Sequence, residues 1–272
     1  MTGELITKVI SAKPGKTVAV FAGIHGNEKA GVMALEKVLK TFQLDAGTAY
    51  FVIANPEAVK LNVRFIEKNL NRLFFTSNDG QTTEDERARE LMKVLDECDA
   101  LLDLHGYNGE EDSPFIITDG EGLELASKLD FGYIITGINK AGDGATDCYM
   151  TEQKKPGLCL ECGSNFHPEK YAALAEKSIY QFLKFYGLVE SAPGFDSREQ
   201  KLFKTGEIAI RQSETFAFDR EYQNFDELKS GAVFATDGEN KYTAKENEYI
   251  IFPRPNQKIG QESFMLVSRI NS

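Results

Sequence analysis

A histidine and a glutamate stand three residues apart in FAGIHGNEKAG (21–31), where an apolar run stops and a helix is predicted to begin. Side chains at that spacing can converge on one ion. Gly23 and Gly26, flanking the His25 position, give the backbone freedom to bend and to approach a ligand closely. Alone, the pair also fits an ordinary capped helix start. The second histidine changes its weight: His105 closes LLDLHG (101–106), again ahead of a glycine, and strand alternation puts Leu101, Asp103 and His105 on one face. Asp103 is then a buried carboxylate two residues behind an imidazole, suited to orienting it from the far side. Of three histidines in the chain, two with one glutamate (His25, Glu28, His105) make a His2Glu set, a donor set used by catalytic zinc with a fourth position left for water.

Glu161 supplies a further group. It is an acid inside the apolar strand GLCLECG (157–163), close to a glycine, and an unpaired buried carboxylate is costly enough to need a partner or a task. Beside a metal the task is that of general base and then general acid, taking a proton from water and delivering it to a leaving amine. The alternative is a buried ion pair. NVRFIEKNLNRLF (62–74) carries Arg64, Asn69, Asn71 and Arg72. Arginine binds carboxylates bidentately and asparagine adds a directional donor, so this stretch reads either as a carboxylate clamp or as a solvated loop. Arg72 is also placed to polarise a scissile carbonyl.

These positions require a sheet to hold them. Strands are predicted at KTVAVFAGI (16–24), TAYFVIANP (48–56), DALLDLHG (99–106), SPFIITDG (113–120), FGYIITGI (131–138) and PGLCLECG (156–163). Helices are predicted at 28–42, 84–98, 121–129 and 167–188, the last with Pro168 near its first turn and Gly187 at its end. Such alternation specifies a layered α/β domain with a mixed, largely parallel sheet, whose ligands sit at the carboxyl ends of strands. VESAPGFDS (189–197) reads as a linker, and from about 195 short strands with turn signals predict a smaller β-rich C-terminal domain. The expected domains are 1–190 and 195–272.

With 42 acidic against 31 basic residues and a net charge of −11, the chain excludes a broad nucleic-acid or anionic-membrane surface, while a local positive field can still receive a small anion. No run approaches the ~20 apolar residues of a membrane helix. The start, MTGELITKVISAKPGK, lacks the apolar stretch of a secretory signal, so a cytoplasmic location is expected. Cys98, Cys148, Cys159 and Cys162 are expected to be buried thiols; Cys159 and Cys162 fall on opposite faces of one strand and share neither a metal nor a bridge. His167, ahead of Pro168, reads as a capping or exposed residue. GEEDS (109–113) reads as a solvated loop beside His105, and Tyr107 and Tyr149 as either pocket-lining or ordinary half-buried tyrosines.

In this order, GIHGNE, VRFIEKNLNRLF, DLHG and LECG resemble the succinylglutamate desuccinylase/aspartoacylase family of the zinc carboxypeptidase superfamily. The similarity runs over most of residues 16–165, and EYIIFPRPNQKIGQ (248–261) looks like the family's C-terminal domain. The resemblance implies a zinc-carboxypeptidase-like fold and hydrolysis of the amide of an N-acyl amino acid with one Zn2+ per chain. It implies His25, Glu28 and His105 as ligands, Glu161 as the base, and Arg64, Asn71 and Arg72 as substrate-binding or carbonyl-polarising residues. Two departures stand out. Asn69 occupies the place of an acid in the family's Asp-Leu-Asn-Arg, and DCYMTEQKKPGLCLE (147–161) has no arginine about ten residues before the catalytic glutamate. Lys140, Lys154 and Lys155 are the available substitutes, without arginine's bidentate fork. The expected partner is a small anionic N-acyl amino acid, with neither nucleic acid nor membrane; the acyl group and oligomeric state stay open. A zinc carboxypeptidase acting on short peptides, and a non-catalytic small-molecule binder retaining the fold, are the alternatives.

Overall fold

Apolar runs rich in β-branched residues become inner strands in the computed structural model, which describes residues 5–109, 113–138, 144–194 and 199–270. The chain divides into two compact units, Met1–Gly132 with Ile138–Gln200, and Tyr133–Gly137 with Lys201–Ser272. In the first, β1 (Ile6–Ile10), β2 (Thr17–Ala22), β3 (Thr48–Ile53), β4 (Ala100–Tyr107), β5 (Phe115–Thr118) and β7 (Gly157–Ser164) lie in the order β1-β3-β2-β4-β7-β5. β3, β2, β4 and β7 run parallel, and β1 and β5 pair antiparallel at the two sides. Every residue of β4 and β7 is buried, as expected of parallel strands covered on both faces.

The helices divide between those faces. α1 (Lys29–Leu39) buries Val32, Leu35 and Val38, and its Gly31 approaches Leu104 so closely that a Cβ would sit 2.6 Å from the leucine's own. On the opposite face α3 (Thr83–Glu97) and α5 (Thr146–Glu152) share a core with Ala19, Phe21 and Leu101, through Ala88, Leu91, Leu95, Tyr149 and Met150. This is the face that Asp103 and His105 share with Leu101. α6 (Pro168–Phe185) has Pro168 in its first turn, and Gly187, in the left-handed region, follows its end. Among the described residues, β1, α2 (Pro56–Leu61), capped by Asn55, α5 and the single turn Leu70–Arg72 lie outside the expected pattern.

In the second unit, β6 (Tyr133–Thr136) pairs parallel with β8 (Lys201–Ile210), which continues antiparallel through β14 (Glu262–Arg269) and β13 (Glu248–Ile251) to β10 (Asp226–Glu227). β9 (Ala217–Phe218), β11 (Val233–Asp237) and β12 (Asn240–Thr243) form a second small sheet. Phe216, Phe234 and Phe264 centre the core of this unit. Among the described residues no helix is long and apolar enough to cross a membrane.

Candidate active site

The chain turns sharply after β2. Gly23 takes a left-handed conformation (φ 72°), and a side chain at Gly26 would place its Cβ 2.0 Å from the carbonyl carbon of Ala58. Gly26 is thus required by the backbone of α2 rather than by approach of a ligand. Glu28 is the residue preceding α1, yet its carboxylate makes no capping bond. It turns to the histidines instead, which rules out the capped-helix explanation of the pair. On the sheet, the parallel register sets His105 opposite Glu161 and Asp103 opposite Cys159, so four chemically capable side chains share one face.

Glu28 Oε1 lies 2.8 Å from His25 Nδ1, and Oε2 lies 2.9 Å from His105 Nδ1. All three residues are buried, and the two rings meet edge to face at 5.2 Å. The outer nitrogens are held as well. His25 Nε2 is 2.9 Å from Asn69 Oδ1, an oxygen that also accepts the backbone N–H of Asn71 (3.1 Å). That backbone donor fixes which end of the Asn69 amide is oxygen, so His25 Nε2 carries the proton. Burial, against the attraction of Glu28, lowers the pKa of His25 to about 4, so the ring is neutral at pH 7 and its Nδ1 bears a lone pair. A lone pair and a carboxylate oxygen therefore face each other across 2.8 Å, an arrangement resolved by a cation between them. His105 Nε2 lies 3.1 Å from Asp103 Oδ2, which also accepts a hydrogen bond from Thr146 Oγ1 (2.5 Å). Burial disfavours a charged His105, but Cys159, Asp103 and Glu28 outweigh it and hold its pKa well above the usual imidazole range. Burial also opposes ionisation of Glu28, and the charged His105, whose Nδ1–H faces Oε2, overcomes it and keeps the carboxyl well below its ordinary pKa. His25, Glu28 and His105 thus form a cluster with one ligand atom each within 4.8 Å of the others, and the donor set fits a divalent metal.

Glu161, 7% exposed, belongs with His105 and Cys159 to a second cluster of the same tightness. Arg64 Nη1 stands 3.3 Å from Glu28 Oε1, Asn71 Oδ1 accepts the Thr146 N–H (3.1 Å), and Arg72 Nη1 donates to the Asn71 carbonyl (2.7 Å). Several residues are placed elsewhere. Lys155 Nζ donates to the Asp96 carbonyl (3.0 Å) at the end of α3, beside the first residues of β4 and away from His105; Lys154 is exposed, and Lys140 lies outside the described residues. Tyr149 donates to Asp96 Oδ1 (2.7 Å) and packs in the core, so it does not line the site, while the Tyr107 hydroxyl accepts the Ser113 N–H (3.1 Å). Of GEEDS, residues 110–112 lie outside the described residues. His167 is exposed ahead of α6 and caps nothing with its side chain. Thr146 and Cys159 are additions that the sequence reading did not place at the site.

A layered α/β domain with a buried His2Glu cluster at the carboxyl ends of its parallel strands is an architecture that could hold a metal ion. The chain belongs to the succinylglutamate desuccinylase/aspartoacylase family: residues 14–186 match the model of the Succinylglutamate desuccinylase/Aspartoacylase catalytic domain, and 198–270 the AstE/AspA barrel-sandwich hybrid domain. A succinylglutamate desuccinylase of Vibrio cholerae is 27% identical over 285 residues, covering 94% of this chain and 82% of the relative. One from Pseudomonas paraeruginosa is 28% identical, covering 96% and 87%. Among solved structures, succinylglutamate desuccinylase from Vibrio cholerae superimposes with a TM-score of 0.82 at 23% identity, covering 98% of this chain and 86% of that one. The product-bound ectoine utilization protein EutE (DoeB) from Ruegeria pomeroyi gives 0.76 at 19% identity, covering 98% and 88%. The fold is shared with both, and the family supports deacylation of an N-acyl amino acid.

Proposed function

We propose that the chain is a zinc-dependent hydrolase cleaving the amide bond of an N-acyl amino acid. One observation carries this reading: the bare His25 Nδ1 held against Glu28, with Glu161 beside the second histidine on the same sheet face. His25, Glu28 and His105 would hold one Zn2+, with Asn69 and Asp103 fixing the outer nitrogens. When bound, zinc supplies Lewis acidity, lowering the pKa of water and polarising the carbonyl. Glu161 takes the proton from the attacking water and passes it to the amide nitrogen, so that the C–N bond breaks with a neutral amine leaving. Arg72 donates to the carbonyl oxygen as negative charge builds there. Arg64 and Asn71 receive the carboxylate of the amino-acid half.

Lys155, committed to α3, supplies no clamp for a carboxylate on the acyl group. In this reading residues 1–190 form the catalytic domain, 195–272 the smaller one, and the enzyme works in the cytoplasm on a small metabolite. The test is amine release from succinyl, acetyl, formyl and longer-chain N-acyl amino acids and from short peptides, with zinc present and Glu161→Gln as the blank. Wild type should release amine, and the variant should keep one zinc per chain while losing roughly 10²–10⁴-fold in turnover. Cleavage of peptides alone would make the chain a carboxypeptidase. No release, with zinc bound, would remove the deacylase reading.

A further inference from the structure

The segment 64–72 brings Arg64 against Glu28, Asn69 against His25 and Asn71 against Thr146, with Arg72 next in the chain, yet its regular structure is a single turn, Leu70–Arg72. A loop with so few bonds of its own needs a template. Its backbone finds one in Glu84, in the first turn of α3 and only 1% exposed. Ile66 N–H donates to Glu84 Oε1 (2.7 Å), Glu67 N–H is shared between Oε1 (3.4 Å) and Oε2 (3.3 Å), and Lys68 N–H donates to Oε2 (3.4 Å). Asn55 Nδ2 adds a fourth donor at 3.3 Å. The loop also holds the helix: Thr83 N–H donates to Glu67 Oε1 (3.2 Å), and Lys68 Nζ pairs with Asp85 Oδ2 (2.8 Å).

Three consecutive amides converge on one carboxylate from residues whose side chains are exposed, so the segment is gathered by its backbone rather than by packing. An acid in the first turn of a helix is ordinarily explained by the helix dipole, but such an acid faces solvent and needs no outside donors. Glu84 does the reverse. Immediately after the three amides comes Asn69, whose oxygen takes both His25 Nε2 and the Asn71 N–H, and Asn71 in turn accepts from Thr146.

We propose that Glu84 is a positioning residue that sets the register of this loop, aligning Arg64, Asn71 and Arg72 for substrate and Asn69 for His25. The proposal rests on the deacylase reading only for its kinetic arm. Gln at this position offers one acceptor oxygen where two are used and turns an N–H donor toward the loop amides.

The test is Glu84→Gln in the zinc-loaded protein, read first by amide hydrogen exchange over residues 62–72, which needs no activity. Exchange at Ile66, Glu67 and Lys68 should accelerate at least tenfold, with zinc content still one per chain. On the best N-acyl amino acid, kcat/KM should fall on the order of 10²-fold, because misplacing positioning groups by about an ångström has that effect. The loss should be divided between KM, through Arg64 and Asn71, which bind, and kcat, through Arg72, which acts on the carbonyl as charge builds. Unchanged exchange at 66–68 would overturn the latch. Faster exchange with kcat/KM within twofold of wild type would reduce Glu84 to a structural residue. Should that variant not fold, Glu67→Ala removes the exposed return bond to Thr83 and should give the same pattern at smaller amplitude; no change in exchange or KM would likewise overturn the proposal. If wild type cleaves nothing, the deacylase reading fails and the exchange result still decides the latch.

Discussion

Asp103→Asn separates the charge behind His105 from the shape of the pocket. One oxygen, Oδ2, accepts the Thr146 hydroxyl and stands 3.1 Å from His105 Nε2 as an ion-pair contact outside hydrogen-bond geometry, so an asparagine with its oxygen in that place keeps both neighbours and removes only the negative charge. For the metal-free protein the effects oppose. A charge-assisted contact to His105 is weakened, by about 1.5–3 kcal/mol. Against this, Asp103 is fully buried and its Oδ1 has no hydrogen-bond partner among the described residues, a cost of about 1–3 kcal/mol for a buried group. Its charge also acts on Asp147, whose carboxyl is pushed up to about 6 by burial and then by Asp103. Net metal-free stability should therefore move by no more than about 2 kcal/mol in either direction. Zinc affinity has no such compensation at high pH: losing the carboxylate behind a ligating imidazole costs typically 10–100-fold, about 1.4–2.7 kcal/mol. At saturating zinc that difference lowers the melting temperature of the loaded protein by roughly 3–10 °C. Competition with a chromophoric chelator at about pH 8.5 reads the affinity directly. The gap should narrow at lower pH, because Asp103 also favours the proton that competes at His105. An unchanged zinc affinity, with a metal-free protein several kcal/mol less stable, would refute the reasoning and leave Asp103 as a structural acid.

Asn69→Asp should act in the opposite direction. A carboxylate there still accepts from His25 Nε2 and the Asn71 N–H while adding charge, so zinc should bind about 3–10-fold tighter, less than the Asp103 effect because Asn69 is half-buried; weaker binding in the same chelator assay would contradict this. In metal-free protein the stability should peak near pH 6.5, measured by denaturant titration with chelator across pH 4–9. Below that value the unfolded His25 takes a proton that the folded ring refuses until about pH 4, but between about pH 6 and 4 Asp147, whose raised pKa gives the folded protein the extra proton, offsets this loss, so the acid limb is shallow. Glu28, with its lowered pKa, adds stability that is lost only as pH falls through its folded value. Above pH 6.5 His105, with its raised pKa, loses the contribution it made below. Zinc should flatten the alkaline limb, and a metal-free profile flat across this range would refute the proton assignments.

The parts of the fold legible in sequence were those whose pattern is local. β2, β3, β4 and β7 show as short apolar runs because both of their faces are covered, and α1 and α6 show a helical period because one face is not. β1 escaped because ITKVI, lying at one side of the sheet, is half exposed and reads as neither a buried run nor a signal segment. α5 escaped for the opposite reason: its first five residues are buried all round, which erases the amphipathic period. FGYIITGI reads correctly as a strand, but nothing within it says that it pairs with β8.

The same distinction divides the site. His25 with Glu28, and Asp103 with His105, are legible because each pair lies within three residues on one chain segment, where the turn or the two-residue strand period sets their geometry. In sequence, Cys159 stands beside Cys162, three positions away, and nothing ties it to a histidine. Its place beside His105 depends on the register of β4 against β7, a choice made by packing across the whole sheet and invisible in either strand alone. Glu84 is further from view still, since EDERARELMKVLDEC presents its acids as the solvated side of a charged helix. Whether one of them turns inward depends on where three amides of a preceding loop arrive. Lys155 shows the converse: a cation at a suggestive sequence distance from Glu161 is consumed by the carbonyls that end α3. Sequence distance is a guide to geometry inside one element and loses that value wherever the partner is the end of another.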